Sequence, residues 1–204
     1  MLELNVFAVV LAAGASSRMG TSKMALEWGD STVLETTLQH VEDSQVYEML
    51  LVTGGYRDLV EGLAKVKATN KAHNADFAAG EMISSIKLAL SWLQQNQMRP
   101  DGILILPGDM PLVTASMIDL VISRWHQSPN QIVAPEYQKQ RGHPVIFPFE
   151  IFLKFETLPA DASPRDLIKA NIDQLGLIPI DDPAVIIDVD TPAEYERYRP
   201  RKDV

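Results

Sequence analysis

The chain has 204 residues, 46% of them hydrophobic and 22% charged, with a formal net charge of −9 and no cysteine. That length suits one domain with a proper core, and the missing thiols exclude disulfides, thiolate metal sites and cysteine nucleophiles. The acidic balance argues against a nucleic-acid binder, whose footprint is a basic face.

No apolar run approaches the length of a membrane span, and the start MLELNVF lacks the basic and apolar regions of a signal peptide. A cytoplasmic protein with no membrane partner is expected. Residues 5–11 (NVFAVVL) then form an almost unbroken apolar run rich in β-branched residues. This is the pattern of a strand buried on both faces of a parallel sheet. The run breaks into Ala12-Ala13-Gly14-Ala15-Ser16-Ser17, a turn with almost no side-chain bulk. Such a turn lets backbone N–H groups approach an anion closely. Arg18 and Lys23 follow, one a planar fork of donors and the other a mobile point charge. Residues 9–23 therefore read as a triphosphate cradle. The loop is neither a Walker A motif nor a dinucleotide fingerprint: Arg18 stands four residues after Gly14, Thr21 follows Gly20, and Ser16 occupies the place of a second glycine.

Further along, Thr32-x-x-Glu35 is a capping box that opens a helix running to residue 41. Residues 47–53 (YEMLLVT) make a second buried strand that ends in Gly54-Gly55. A helix over 58–63, a short strand over 66–69 and a polar, small-residue loop over 72–80 come next. Helical spacing of Ile83, Ile86, Leu90 and Leu93 predicts a helix over 81–93. Residues 102–106 (GILIL) form a third buried strand, broken by Pro107-Gly108-Asp109-Met110-Pro111. A helix over 117–125 and strands over 131–134 and 144–147 follow. Ser163-Pro164-Arg165-Asp166 is an N-cap with proline in the first turn, opening a helix to about residue 172. Residues 184–187 lead as a strand into Asp188-Val189-Asp190, and Thr191-Pro192-Ala193-Glu194 caps a last helix.

Strands alternating with helices predict an α/β, three-layer domain with a mostly parallel, Rossmann-like sheet. Ligands of such sheets bind beyond the strand C-termini. The cradle, Gly54-Gly55 and the 107–111 turn all follow strand ends, so one shared pocket is expected. Several residues there admit two readings. Asp109, boxed by Pro107, Gly108 and Pro111, is either a Mg²⁺ ligand near the cradle or a turn aspartate bonded to its own backbone. Alternation puts Asp188 and Asp190 on one face; either completes a metal site with Asp109, while Asp190 can instead help cap the last helix. Ser84 and Ser85 either receive a nucleotide or merely start a helix. His143 is either a catalytic group or, as a lone histidine more often is, a structural hydrogen-bonding group.

LAAGASSRMGTSK resembles the signature loop of the nucleotidyltransferases that attach a nucleotide to the molybdenum cofactor. Ser16, Arg18, Met19, Gly20 and Lys23 match it, and Ala13 in place of a glycine is similar to the cytidylyl branch rather than the guanylyl branch. LPGDMPLV (106–113), His73-Asn74 with Gly80 and Ser84, Gly142-His143-Pro144 and DVDTP (188–192) resemble the family's later motifs, over essentially the whole chain. The resemblance implies a GT-A-like nucleotidyltransferase sheet, with a nucleotide half at about 1–112 and an acceptor half at about 113–200. It implies nucleotide binding by Leu11, Ala12, Ala13, Gly14, Arg18, Lys23, Gly54, Gly80, Ser84, Ser85 and Gly108. Acceptor binding falls to Gly142, His143, Pro144 and Arg165, and Mg²⁺ binding to Asp109 and Asp190. Arg18, Lys23 and Asp109 carry the chemistry. The implied activity is transfer of CMP from CTP to molybdopterin, with a receiving molybdoenzyme or its chaperone as a further partner. Alternatives keep the fold but use GTP, or another acceptor such as a sugar phosphate or methylerythritol phosphate, or leave a nucleotide- or cofactor-binding chaperone without turnover.

Overall fold

The computed structural model describes residues 4–14, 22–63, 70–77 and 82–200. The first apolar run is strand β1 (Val6–Ala12), buried along its whole length. A small hairpin of β2 (Glu27–Trp28) and β3 (Ser31–Thr32) leads into α1 (Val33–Glu42). Thr32 is the N-cap expected there. The Thr32 hydroxyl donates to Glu35 Oε2 at 2.9 Å and accepts from the Glu35 N–H at 3.3 Å. Then come β4 (Glu48–Thr53), α2 (Arg57–Leu63), β5 (Asn70–His73), α3 (Met82–Gln95) and β6 (Gly102–Pro107). The second half holds α4 (Ala115–His126), β7 (Ile132–Tyr137), β8 (Gln140–Arg141), β9 (Val145–Pro148), α5 (Phe149–Phe152), α6 (Pro164–Ala170), β10 (Leu175–Pro179) and α7 (Pro192–Tyr198).

Among the described residues the main sheet runs β10-β7-β9-β6-β1-β4-β5, with β8 paired to β7. β1 pairs in parallel with both β4 and β6, β4 with β5, and β7 with β10. β9 runs against its neighbours β6 and β7, and β8 runs against β7. The mostly parallel α/β sheet expected from the sequence is therefore the fold observed. The chain winds outward from β1 in both directions, which makes the C-terminal end of β1 a topological switch point. Register brings the exits level there: Leu11 sits opposite Pro107, Ala12 opposite Thr53, and Thr53 opposite His73.

Alternation along β1 divides the core into two layers. Val6, Ala8, Val10 and Ala12 face one side and pack with Leu34 and Leu38 of α1 and Val121 and Trp125 of α4. Phe7, Val9, Leu11 and Ala13 face the other, against Ile83, Ile86 and Leu90 of α3 and Phe152 of α5. Phe155 meets Phe147 and Phe152 edge-on, each with centroids 5.3 Å apart.

Some expectations change in detail. The strand predicted over 66–69 lies outside the described residues, and pairing with β4 carries strand structure through residue 73, into the region expected to be loop. Residues 184–187 do not form a strand. A 3-10 turn occupies Pro183–Ile186, with Pro183 at its start and the Asp182 carboxylate accepting from the Ala184 N–H at 2.8 Å. The helix expected to reach residue 172 stops at Ala170. The Asn171 side chain turns back there and donates to the Leu167 carbonyl at 2.8 Å.

Gly102 opens β6 directly beneath Trp125: a Cβ there would lie 2.9 Å from the ring, whereas Gly62 in α2 has open space around it. Gly102→Ala is expected to destabilise by about 1–3 kcal/mol through overpacking of a rigid ring. Gly62→Ala is expected to stabilise by about 0.5–1 kcal/mol through helix propensity. Urea unfolding of the two variants beside the wild type checks both signs.

Candidate active site

Three backbone contacts assemble the region beyond the strand ends. The Gly108 N–H donates to the Leu11 carbonyl at 2.8 Å, and the Val189 N–H donates to the Asp109 carbonyl at 3.0 Å. The Gly55 N–H reaches the Ala13 carbonyl at 3.4 Å. The second contact holds the DVDTP segment against the 107–111 turn, although the two lie far apart in sequence. Val189 points into an apolar cluster with Trp28 and Val33. The flanking Asp188 and Asp190 therefore turn the other way, as the alternation argument expects.

Asp109, Asp188 and Asp190 each offer a carboxylate oxygen, and these oxygens lie within 4.8 Å of one another. Asp109 is 6% exposed. The Lys23 ammonium donates to Asp109 Oδ2 and to Asp190 Oδ1. Burial on its own would lower the Lys23 pKa, but the charges and hydrogen bonds of Asp109 and Asp190 outweigh it and hold the ammonium above its ordinary 10.5. Burial, then repulsion from Asp109 and Asp190, pushes the Asp188 carboxyl above the usual carboxylate value. Asp109 Oδ1 is buried with no hydrogen-bond partner among the described residues. Asp190 is not the cap of α7: the Thr191 hydroxyl accepts from the Glu194 N–H at 3.2 Å, and Glu194 Oε2 accepts from the Thr191 N–H at 2.8 Å. Asp190 helps that cap only through its backbone N–H, which donates to Glu194 Oε2 at 3.2 Å, while its carboxylate faces Lys23.

A cleft of about 200 Å³ opens beside these acids, lined by Leu11, Ala13, Gly14, Lys23, Ser85 and Asp109 together with Met24, Phe77, Met82 and Pro107. Among the described residues beyond its chain neighbours, no atom lies within 4 Å of where a Cβ on Gly14 would stand. Ala12, Gly54, Ser84 and Gly108, also expected at the nucleotide, support the cleft from behind. Ala12 belongs to the core layer. A Cβ on Gly54 would come within 2.5 Å of the Ala13 carbonyl oxygen, and one on Gly108 within 3.1 Å of Leu34. Ser84 and Ser85 accept from the buried Asn74 side-chain amide at 2.9 and 3.0 Å. Arg18 and Gly80 lie outside the described residues.

A second cleft, about 360 Å³, is lined by Gly142, His143 and Arg165, with Arg141, Ser163 and Met82 among its walls. Pro144 is buried behind it, in a cis peptide with His143. Arg165 is carried in the first turn of α6, where the Asp166 carboxylate accepts from the Ser163 N–H at 2.8 Å and from its hydroxyl at 3.0 Å. The bare Cα of Gly142 faces the protein and not the cleft: a Cβ would fall 2.1 Å from the Val185 carbonyl oxygen. That same carbonyl accepts from the His143 N–H at 2.7 Å. The smallness of Gly142 thus serves the contact between the residue after β8 and the 3-10 turn, while Gly142 still lines the cleft. Burial holds the His143 imidazole well below its ordinary value, at about 4, with a hydrogen bond to the Ile105 backbone opposing and the Arg165 charge reinforcing the shift. His143 is therefore neutral near pH 7.

Sequence reasoning missed Met82 and Phe77. Met82 touches both clefts, but a methionine at a helix start carries no signal that separates it from core packing.

Two clefts that share one wall suit an enzyme that moves a group between two bound molecules, and the class here is nucleotidyltransferase. The chain belongs to the MobA-like NTP transferase domain family, whose model matches residues 8–175. It is 28% identical over 196 residues to the molybdenum cofactor cytidylyltransferase of Escherichia coli K12, covering 93% of this chain and 95% of that one. It is also 26% identical over 204 residues to the purine catabolism protein PucB of Bacillus subtilis, covering 94% of each. Among solved structures it is similar to Rv0371c of Mycobacterium tuberculosis in complex with manganese. The TM-score is 0.77 at 26% identity, over 95% of this chain and 97% of that one. Among the described residues no helix is long and apolar enough to cross a membrane.

The depressed His143 pKa has a pH signature. The folded state keeps the ring neutral down to about 4, while the unfolded chain takes up a proton near 6.5. Its stabilising contribution is therefore complete above 6.5 and is lost as pH falls from there through 4. His143→Gln is expected to flatten the fall in urea midpoint between about pH 7 and pH 4.5. An unchanged slope would mean that other groups set the acid sensitivity.

Proposed function

We propose that the protein transfers CMP from CTP to the terminal phosphate of molybdopterin, with pyrophosphate leaving and Mg²⁺ as the ion. The observation that carries the reading is Asp109. It is a buried carboxylate with one oxygen bonded to Lys23 and the other without a partner among the described residues, within reach of Asp188 and Asp190 and beside the smaller cleft. An all-oxygen set of this kind fits a hard divalent cation. Asp109 and Asp190, with Asp188 as a third oxygen source, would hold it. When bound it neutralises charge on the triphosphate.

The protein's own residues supply alignment. The acceptor phosphate is already anionic near neutral pH, so no side chain needs to remove a proton from it. The reaction needs the α-phosphorus held in line with that phosphate and compensation for charge growing on pyrophosphate. Gly14 leaves room for the phosphates at the switch point, and Arg18 and Lys23 bring the cations. Gly142, His143 and Arg165, with Arg141 beside them, present the acceptor from the larger cleft. A neutral His143 donates or accepts a hydrogen bond and is not a general acid. Ala13 narrows the turn by a methyl group relative to glycine, which favours a pyrimidine. A methyl-sized difference supports discrimination of only about 10- to 200-fold.

A second reading keeps the family's nucleotide chemistry and changes the acceptor to another phosphorylated molecule. Pyrophosphate release measured with Mg²⁺ and each pairing of CTP or GTP with molybdopterin, a sugar phosphate or methylerythritol phosphate separates the two. Release with CTP and molybdopterin alone supports the first reading; release with another acceptor supports the second. No release with any pairing leaves a binding protein without turnover.

Asp109→Asn is expected to lower kcat at saturating Mg²⁺ by at least about 100-fold, since several kcal/mol of charge stabilisation depend on the ion it holds. Activity within about threefold of the wild type, a loss near 0.7 kcal/mol, would remove Asp109 from the mechanism.

A further inference from the structure

Lys23 occupies the place of a phosphate-binding cation in the sequence, yet its ammonium lies on two carboxylates of the acidic trio. The contact is sheltered, with side-chain exposures of 13% for Lys23, 8% for Asp109 and 27% for Asp190. A charge shielded to this extent is destabilised when its partner is removed, most of all the buried Asp109. The ammonium is therefore held until another cation takes over the carboxylates and another anion receives the lysine.

We propose that Lys23 is a placeholder cation, filling the divalent ion's position on Asp109 and Asp190 until a nucleoside triphosphate draws it off. The inference rests on the reading of the trio as a metal site and adds an order of events to it. An ion arriving alone meets an ammonium already bonded to two of its three carboxylates and must displace it from both. An ion arriving with a triphosphate meets no such obstacle. Lys23 lines the same cleft as Gly14 and Asp109, and its flexible four-carbon stem lets the ammonium turn from carboxylate to phosphate. Every charge stays paired throughout the exchange. Ion and triphosphate then tighten each other's binding by a common factor, as linkage requires. The ion's affinity in the absence of nucleotide is reduced by the fraction of molecules in which Lys23 holds the site.

The test follows Mn²⁺ binding by the loss of its free-ion electron paramagnetic resonance signal. It uses the full chain as wild type, Lys23→Gln and Asp109→Asn, with and without CTP, after subtracting the Mn²⁺ that CTP takes up alone. Wild type is expected to bind Mn²⁺ at least about tenfold more tightly with CTP than without. Lys23→Gln is expected to bind Mn²⁺ without CTP at least about tenfold more tightly than wild type, and to lose most of the gain from CTP. A second measurement needs no variant. The rate at which a small acylating reagent modifies Lys23, read by peptide mass spectrometry, is expected to rise when Mn²⁺ alone saturates the wild type and to fall again when CTP is added. Equal Mn²⁺ affinities in wild type and Lys23→Gln, or an acylation rate indifferent to Mn²⁺, would show that lysine and ion coexist and would overturn the proposal while leaving the metal site standing. If no form binds Mn²⁺ in a way that Asp109→Asn abolishes, even with CTP, the metal site itself is refuted and the placeholder role falls with it.

Discussion

Everything in this molecule depends on β1 being buried on both faces and paired on both edges. A strand with parallel neighbours at either side has no edge to offer water, and helices cover both of its surfaces. Its side chains must be apolar at every position, as Val6 to Ala12 are. That constraint sends the chain outward from β1 in two directions and leaves a gap between diverging connections at its C-terminal end. The gap is where the small-residue turn, the Asp109 turn and the Asn74 loop meet. The site is thus a consequence of how a parallel sheet is wound.

Within that gap, electrostatics decides the arrangement. Three carboxylates brought within 4.8 Å of one another repel, and burial strengthens the repulsion by removing water. The raised Asp188 pKa and the raised Lys23 pKa are two faces of this crowding. The crowding is held by backbone geometry: the Val189 N–H on the Asp109 carbonyl, and the Glu194 carboxylate closing the start of α7, set the acids in place whatever their charge. A site built in this way is poised for cation exchange. It carries a cation when no substrate is present, and its oxygen donors suit a divalent one.

The acceptor side is organised on a different principle. Glycine at position 142 permits a backbone contact with Val185 that no other residue could make, and this contact aligns His143 beside Arg165. Burial keeps the imidazole neutral, so the positive field of the larger cleft comes from Arg141 and Arg165. Met82, at the start of α3, separates this cleft from the smaller one. Two ligands can therefore be held in adjoining clefts on either side of one residue.

Much of this was legible in the residues themselves. The apolar runs of β1, β4 and β6 have one interpretation because a strand without solvent exposure cannot carry polar positions. The caps at Thr32, Ser163 and Thr191 were readable because capping is local, settled within four residues. The acids at 109, 188 and 190 were visible as candidates because each follows an apolar segment at a strand end or turn. The two-residue strands β2 and β3, the edge strand β10 and the 3-10 turn at 183–186 were not legible, since pairing partners and not local propensity determine them. Nor was the posting of Lys23. Its partners lie 86 and 167 residues away, and no pattern in the neighbourhood of a lysine says whether it will face phosphate or carboxylate. The sequence by itself determined which segments are buried and which residues can bear charge at their ends. Only the tertiary structure decided which of those charges meet, because sheet order, and not chain order, sets the distances between them.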